Sequence, residues 1–284
     1  MIKSNFTMCV VVLATLLFCA VPASAATIKV FTYNIHHAEG KDGKIDLERI
    51  AHVIRAESPD VVCLQEVDRN MDRTNGLDMP TLLAAKLSMN MAFGPNLDIQ
   101  GGHYGNATLT PHEIVKEENY RLPIPKNGEP RGCLRTTIAI GEQTVEVFNT
   151  HLSIIAEERK AQASRIFELL PKESVIVAGD LNEKNTADGV QLLLRRLQDT
   201  ASEMREETQT TFGEGEKARR IDYVLASMDL RVVSTHVVNT ETSRLASDHL
   251  PYATVIDLGE VEDYWRSESL PSTEDEKGKP PYAP

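Results

Sequence analysis

Aromatic residues make up 5% of this 284-residue chain, and no run of them is long enough to suggest a hairpin that inserts into a membrane. Clusters of positive charge are missing as well. Arg195-Arg196 and Arg219-Arg220 are isolated pairs, and 30 Lys+Arg face 42 Asp+Glu, a formal net charge of −12. Such a field repels polyanions at long range, which counts against a non-specific nucleic-acid binder unless bound cations compensate. No internal repeat, heptad run or phosphate-binding glycine loop occurs, so solenoid, coiled-coil and P-loop designs are set aside. Cysteine is scarce, at four residues.

The one long apolar run, Val10–Cys19, lies at the amino terminus behind Lys3 and ahead of Ala23-Ser24-Ala25, the pattern of a signal peptide cleaved before Ala26. The run is short for a membrane span, so a retained anchor is the weaker alternative and a secreted or periplasmic protein is expected. Bulky Phe18 before Cys19 argues against a lipoprotein. Cleavage would leave 29 Lys+Arg against 42 Asp+Glu, a net charge of −13. Cys9 and Cys19 would leave with the signal. Export permits a bridge between Cys63 and Cys133, but Cys63 sits inside the apolar run Val61–Leu64 and reads as a free buried thiol.

What remains, at 41% apolar and 25% charged, is enough for one large domain over residues 26–259. Thr27–Asn34 reads as a strand entering a core. Asp46 caps a helix with Leu47, Ile50, Val53 and Ile54 on one side, which Ser58-Pro59 stops. Asp60–Glu66 returns as a buried strand, giving a strand–helix–strand start that favours a layered α/β protein. Thr81–Leu87 reads as a short helix, and Gly94–Gly132 as loops with one or two short strands, including Gly105–Leu109. Cys133–Ile140 and Thr144–Thr150 are expected to form an antiparallel pair around Gly141. A helix over Glu157–Leu170 leads to Val175–Ala178, a β-branched run too short for a helix, and so to Gly179-Asp180-Leu181-Asn182. A helix around Val190–Leu197 and strands at Ile221–Ala226, Leu230–Val238 and Tyr252–Leu258 follow. Residues 260–284 hold seven acids, three bases and four prolines, and read as a mostly disordered tail that Trp265 alone could tack to the domain.

Polar groups recur where apolar runs end: Asn34 and His36, Glu66, Asn149 and His151, Asp180 and Asn182, Asp222, then Asp248 and His249. Carboxylates that converge must share protons or bind a cation. This set is oxygen-rich and free of thiolate, which points to Mg²⁺, Mn²⁺ or Ca²⁺ rather than structural zinc. A phosphate ester needs such a cation, together with a base to activate water and an acid to protonate the departing alkoxide.

In chain order, Thr32-Tyr33-Asn34-Ile35, Leu64-Gln65-Glu66, Gly105-Asn106-Ala107, Asn149-Thr150-His151-Leu152, Gly179-Asp180-Leu181-Asn182, Arg220-Ile221-Asp222-Tyr223 and Ser247-Asp248-His249 resemble the motifs of the endonuclease/exonuclease/phosphatase superfamily. The resemblance spans about residues 27–258. It implies a four-layer α/β/β/α sandwich with two central, mainly antiparallel sheets and a site at the rim where they meet. By the same resemblance Glu66 is the principal metal ligand, with Asn34 beside it and Asp248 completing or closely supporting the metal shell. Asp180 and Asn182 orient or deprotonate water, Asp222 fixes the tautomer of His249, and His151 bonds a phosphate oxygen or acts as general acid.

Asn106, Asn149 and Arg131 are candidate phosphate contacts. Two departures stand out. His36 occupies a position where some nucleases of the family carry aspartate, and Leu109-Thr110-Pro111 replaces a common Ser-Arg. Arg131 and Arg135 are candidates to substitute for that arginine.

The expected function is a secreted, divalent-metal-dependent phosphoesterase that hydrolyses a phosphodiester by attack of an activated water, with Mg²⁺ as the expected ion, Mn²⁺ or Ca²⁺ as alternatives, and no protein partner evident. Alternatives are a secreted DNA or RNA nuclease, a lipid-headgroup or inositol-phosphate phosphatase, and a non-catalytic binding protein on the same scaffold.

Overall fold

The computed structural model describes residues 26–202, 204 and 209–259; the expected signal segment and the acidic tail lie outside them. The chain opens with β1 (Thr27–Asn34), α1 (Leu47–Glu57), β2 (Val61–Arg69) and α2 (Met79–Leu87). Asp46 caps α1 by accepting the Arg49 N–H at 3.0 Å, and Ser58 ends it in a left-handed conformation. Four strands follow the first helices: β3 (Asn90–Ile99), β4 (Gly102–Thr110), β5 (Glu113–Arg121) and β6 (Gly132–Ile140). β7 (Gln143–His151), α3 (Ala156–Leu169), β8 (Val175–Asp180), α4 (Asp188–Leu193) and β9 (Leu197–Asp199) come next. β10 (Asp222–Ser227), β11 (Arg231–Val237), α5 (Glu241–Ala246) and β12 (Tyr252–Asp257) complete the domain.

The strands form two six-stranded sheets, in the orders β11-β12-β1-β2-β4-β3 and β5-β6-β7-β8-β10-β9. Each has one parallel pair, β1 with β2 and β7 with β8, and is otherwise antiparallel. Three apolar cores separate four layers. Phe31, Tyr33 and Leu64 pack under Ile50, Ile54 and Leu83 of α1 and α2. Phe148, Val177 and Leu225 pack under Ala163, Ile166 and Val190 of α3 and α4. Between the sheets, Val30, Cys63, Val147, Ile176, Val224 and Ile256 face one another. The expected α/β/β/α sandwich is therefore present.

Two expectations are corrected. Residues 94–132 are mostly strand, because β3 and β5 are sheet edges. An edge strand such as β5, largely exposed and charged along Lys116-Glu117-Glu118, needs no apolar alternation to pair with β6. The helix expected to reach Leu197 stops at Leu193, and Leu197 instead begins β9 against β10. Cys63 and Cys133 are both free and buried, as the apolar setting of Cys63 implied.

Candidate active site

A strand turns successive side chains to opposite faces, and that period brings the polar ends together. Along β1, Ile28 and Val30 face the inter-sheet core while Phe31 and Tyr33 face the helices, so Asn34 falls on the inter-sheet side. The same count carries Asn149 and His151 beyond Val145 and Val147, Asp180 beyond Ile176 and Ala178, and Asp222 ahead of Val224 and Ala226. The site is the polar continuation of the inter-sheet core.

Glu66 arrives differently. Leu64 and Val67 both belong to the helix-side core, with two residues between them, and the β2–β4 register shifts at this point. Glu66 is the extra residue of a bulge, with φ of 58°, and the distortion releases its carboxylate from the helix layer. Gly179 is equally constrained. Its φ is +144°, and a Cβ there would lie 1.8 Å from the Thr150 carbonyl oxygen of the neighbouring strand.

Asp180 is the hub. Its Oδ1 accepts the Asn182 backbone N–H at 2.8 Å and its Oδ2 accepts Asn34 Nδ2 at 3.1 Å. The same Oδ2 lies 3.4 Å from His151 Nε2 and 3.7 Å from His249 Nε2. Burial and the neighbouring Asp222 push its carboxyl up to about 7. Asp222 Oδ2 pairs with His249 Nδ1 at 2.9 Å, while its Oδ1 is buried without a partner. Burial opposes charge on His249, but Asp222, Asp180 and Asp248 outweigh it and raise the ring to about 10.

His151 is the opposite case: burial, Arg131 and His249 hold it well below the usual imidazole range. Arg131 Nη1 donates to its Nδ1 at 3.1 Å, and the Asn182 side-chain amide, which also donates to the Leu152 carbonyl at 2.9 Å, faces its Nε2 at 3.0 Å, so donors meet both ring nitrogens and disfavour a charged ring. One histidine is a cation and the other is neutral.

Asn34 Nδ2 also donates to Glu66 Oε1 at 2.9 Å, and its Oδ1 accepts the His36 N–H at 3.1 Å. Asn34 thus links the two carboxylates and steadies the next turn. Ser247 Oγ donates to the Asn34 carbonyl at 2.8 Å and accepts the His249 N–H at 3.2 Å, docking that loop onto β1. Asp248 itself is exposed beside the loop and is not among the ligand atoms that gather with Glu66. Two groups of side chains could hold a metal ion among the described residues. One is Asp180, Asp222 and His249, and the other is Glu66 with His36 and His37.

Among the candidate phosphate contacts, Arg131 reaches the site through His151 and is held by Glu129 at 2.6 Å. Asn149 does not face a substrate. It is fully buried, accepts Gln65 Nε2 at 2.9 Å and donates to the Leu64 and Ala107 carbonyls at 3.2 and 2.8 Å, a brace between the sheets. Asn106 likewise donates to the Gly132 carbonyl at 3.1 Å. A polar residue at a strand end reads alike in the sequence whether it faces solvent or the opposite sheet, and the amides of both donate to backbone carbonyls of neighbouring strands. Arg135 pairs with Glu146 at 2.7 Å along β6 and β7 and does not replace the missing arginine.

Sequence reasoning passed over Phe212, whose ring packs against His249 with centroids 4.6 Å apart and planes tilted by 51°. It also assigned no role to His37, although a histidine doublet directly after a strand was a legible signal. Burial, Arg73 and His36 hold the His37 ring below its usual range, leaving it neutral.

A buried carboxylate hub between two imidazoles thus lies at the mouth of a two-sheet sandwich, beside a group able to hold a cation. The chain belongs to the Endonuclease/Exonuclease/phosphatase family, whose pattern it matches over residues 31–249. Members of this family are generally hydrolases of phosphoester bonds and typically use a divalent metal. Over 171 residues the chain is 30% identical to the uncharacterized protein YbhP of Escherichia coli K12, covering 55% of this chain and 67% of that protein. An endonuclease/exonuclease/phosphatase structure from Beutenbergia cavernae superposes with a TM-score of 0.74 at 30% identity, over 83% of this chain and 72% of that one. The human Nocturnin catalytic domain shares the fold at 22% identity and a TM-score of 0.64, over 81% of this chain and 93% of that domain.

Proposed function

We propose that the protein is an exported, divalent-metal-dependent phosphoesterase that hydrolyses a phosphodiester by attack of an activated water. The observation that carries this reading is Asp180, a carboxylate raised to about 7 whose Oδ2 faces Asn34, His151 and His249 within 3.7 Å. A base titrating near neutrality is matched to taking a proton from water under physiological conditions. Asp180 fills that role better than His249, which already holds its proton.

His249, kept cationic by Asp222, supplies the proton that a departing alkoxide takes. His151, held neutral between Arg131 and Asn182, lines the phosphate position, and Arg131 adds positive charge behind it. Of the two roles the resemblance left open for His151, this assignment keeps the phosphate side and gives the leaving-group role to His249.

Glu66 would hold the cation, and the buried, unpartnered Nδ1 of His37 and the carboxylate of Glu66 supply donor chemistry that fits one. Such an ion, when bound, neutralises the oxygens of the phosphate ester. Mg²⁺, the ion expected from an oxygen-rich set, fits less well once two imidazoles join that set. Export to the periplasm or medium rests on the amino-terminal pattern ending at Ala25.

The test is a panel of single- and double-stranded DNA, RNA, sphingomyelin, phosphoinositides and simple mono- and diesters, run with and without chelator against an Asp180→Asn blank. Hydrolysis of a diester that both chelator and substitution abolish is expected. Activity that survives both would overturn the mechanism.

A further inference from the structure

The turn after β1 carries His36, His37 and Ala38 at φ of 45°, 41° and 61°, three consecutive non-glycine residues in the left-handed region. Backbone of this kind persists only where its surroundings hold it, and here it packs the two imidazoles together with ring centroids 4.5 Å apart and planes tilted by 60°. One residue, Glu39, fixes both rings. Its backbone carbonyl lies 3.2 Å from His36 Nδ1, and its carboxylate lies 3.2 Å from His37 Nε2. Carbonyl and carboxylate oxygens only accept, so the ring protons sit on His36 Nδ1 and His37 Nε2. The lone pairs are thereby left on His36 Nε2 and His37 Nδ1.

His37 Nδ1 is buried and has no hydrogen-bond partner. One ligand atom from each of His36, His37 and Glu66 falls within 4.8 Å of the others. A neutral imidazole whose other nitrogen donates to a carboxylate or a backbone carbonyl is the usual form of a metal-bound histidine. Both rings have that form before any ion is present.

We propose that His36, His37 and Glu66 form a two-imidazole, one-carboxylate site that selects a first-row transition cation of the zinc or cobalt type over Mg²⁺ and Ca²⁺. Magnesium demands near-octahedral oxygen and sheds its water reluctantly, whereas imidazole favours the later transition ions. Histidine at position 36, where a carboxylate would suit a hard ion, is then a change of metal. This inference deepens the reading of Glu66 as the ion-holding residue and rests on it.

The test is metal binding by the full chain, stripped with chelator and titrated with Zn²⁺, Co²⁺, Mn²⁺ and Mg²⁺ by calorimetry, with the Co²⁺ absorption spectrum as a readout independent of turnover. We expect one equivalent of Zn²⁺ or Co²⁺ that equimolar Mg²⁺ does not displace, and visible cobalt bands of a site with nitrogen ligands. His36→Asn and His37→Asn should each weaken Zn²⁺ at least 100-fold with thermal stability retained, since asparagine tolerates the left-handed backbone. Glu39→Gln should weaken it by about 10-fold through the lost support of His37. Zn²⁺ binding unchanged in both histidine variants, or displaced by equimolar Mg²⁺, overturns the proposal. Diester hydrolysis restored to the stripped protein by Mg²⁺ alone would overturn it while leaving the phosphoesterase reading intact. Tight Zn²⁺ binding without hydrolysis of any ester would do the reverse.

Discussion

Replacing Asp180 with asparagine should cut turnover steeply and make the protein more stable at alkaline pH, a combination that follows from where this carboxylate sits. Its pKa rises from 3.8 to about 7 on folding, chiefly because burial and Asp222 disfavour its charge. A group raised in this way contributes stability below its unfolded pKa and loses it as pH climbs through the folded value. The penalty therefore develops between about pH 4 and pH 7. At about 1.4 kcal/mol per unit, a rise of roughly three units sets an upper bound of about 4 kcal/mol. An amide keeps an oxygen for Asn34 or for the Asn182 N–H but loses attraction to the His249 cation, so a gain of about 2 kcal/mol is expected. For a domain of this size that is about 4–8 °C in Tm.

Thermal unfolding of both proteins in chelator, from pH 4 to pH 8, should show the curves meeting at the acid end, separating between about pH 4 and pH 7 and running parallel above that. Turnover of the wild type should rise with pH through about 7, and the variant should lose about 10²–10⁴-fold in kcat. A variant that melts below the wild type at pH 8, or whose difference does not vary with pH, would refute the assignment of a strained carboxylate base.

Three further outcomes follow from the same geometry. Asp222→Asn removes the partner that keeps His249 charged; kcat should fall by about 10²-fold or more. The stability that His249 contributes, full below pH 6.5 and lost as pH rises to about 10, should flatten in a pH–Tm series of this variant. Asn149→Ala should leave KM unchanged while destabilising by about 3 kcal/mol, because Gln65 and the Leu64 and Ala107 carbonyls lose their buried partner; a raised KM with normal stability would return Asn149 to the substrate. Gly179→Ala should destabilise by about 3 kcal/mol or more in chemical denaturation, since the new Cβ meets the Thr150 carbonyl; a change under 1 kcal/mol would contradict that packing.

Much of this fold was legible because the central strands are buried on both faces and announce themselves as β-branched runs, as Val175–Ala178 does. The edges were not. β5 carries Lys116-Glu117-Glu118 in a strand that needs only one neighbour, and no apolar period marks it. In the site, Asp180, His151, Asp222 and His249 were recognisable and do converge, since each ends or begins a run that the inter-sheet core anchors. Asn149 and Asn106 carry the same signature for a different reason: they satisfy carbonyls of neighbouring strands at the floor of the site. Arg131 contacts His151 from a loop, and Phe212 packs against His249 across the fold, partnerships that no local pattern encodes. The histidine doublet was visible, but its meaning depended on Glu39 reaching back to both rings.

The alternation that turns these groups inward also determines where this gene can change length. One residue inserted or deleted within β1, β7, β8 or β10 would rotate Asn34, His151, Asp180 or Asp222 out of the gap between the sheets and into a helix-facing core, exchanging a reactive group for an apolar one. Length variation should therefore gather in segments such as Leu122–Arg131, outside the counted strands. At Glu66 the chain already holds the single extra residue that such a count permits, and there the slip supplies the carboxylate.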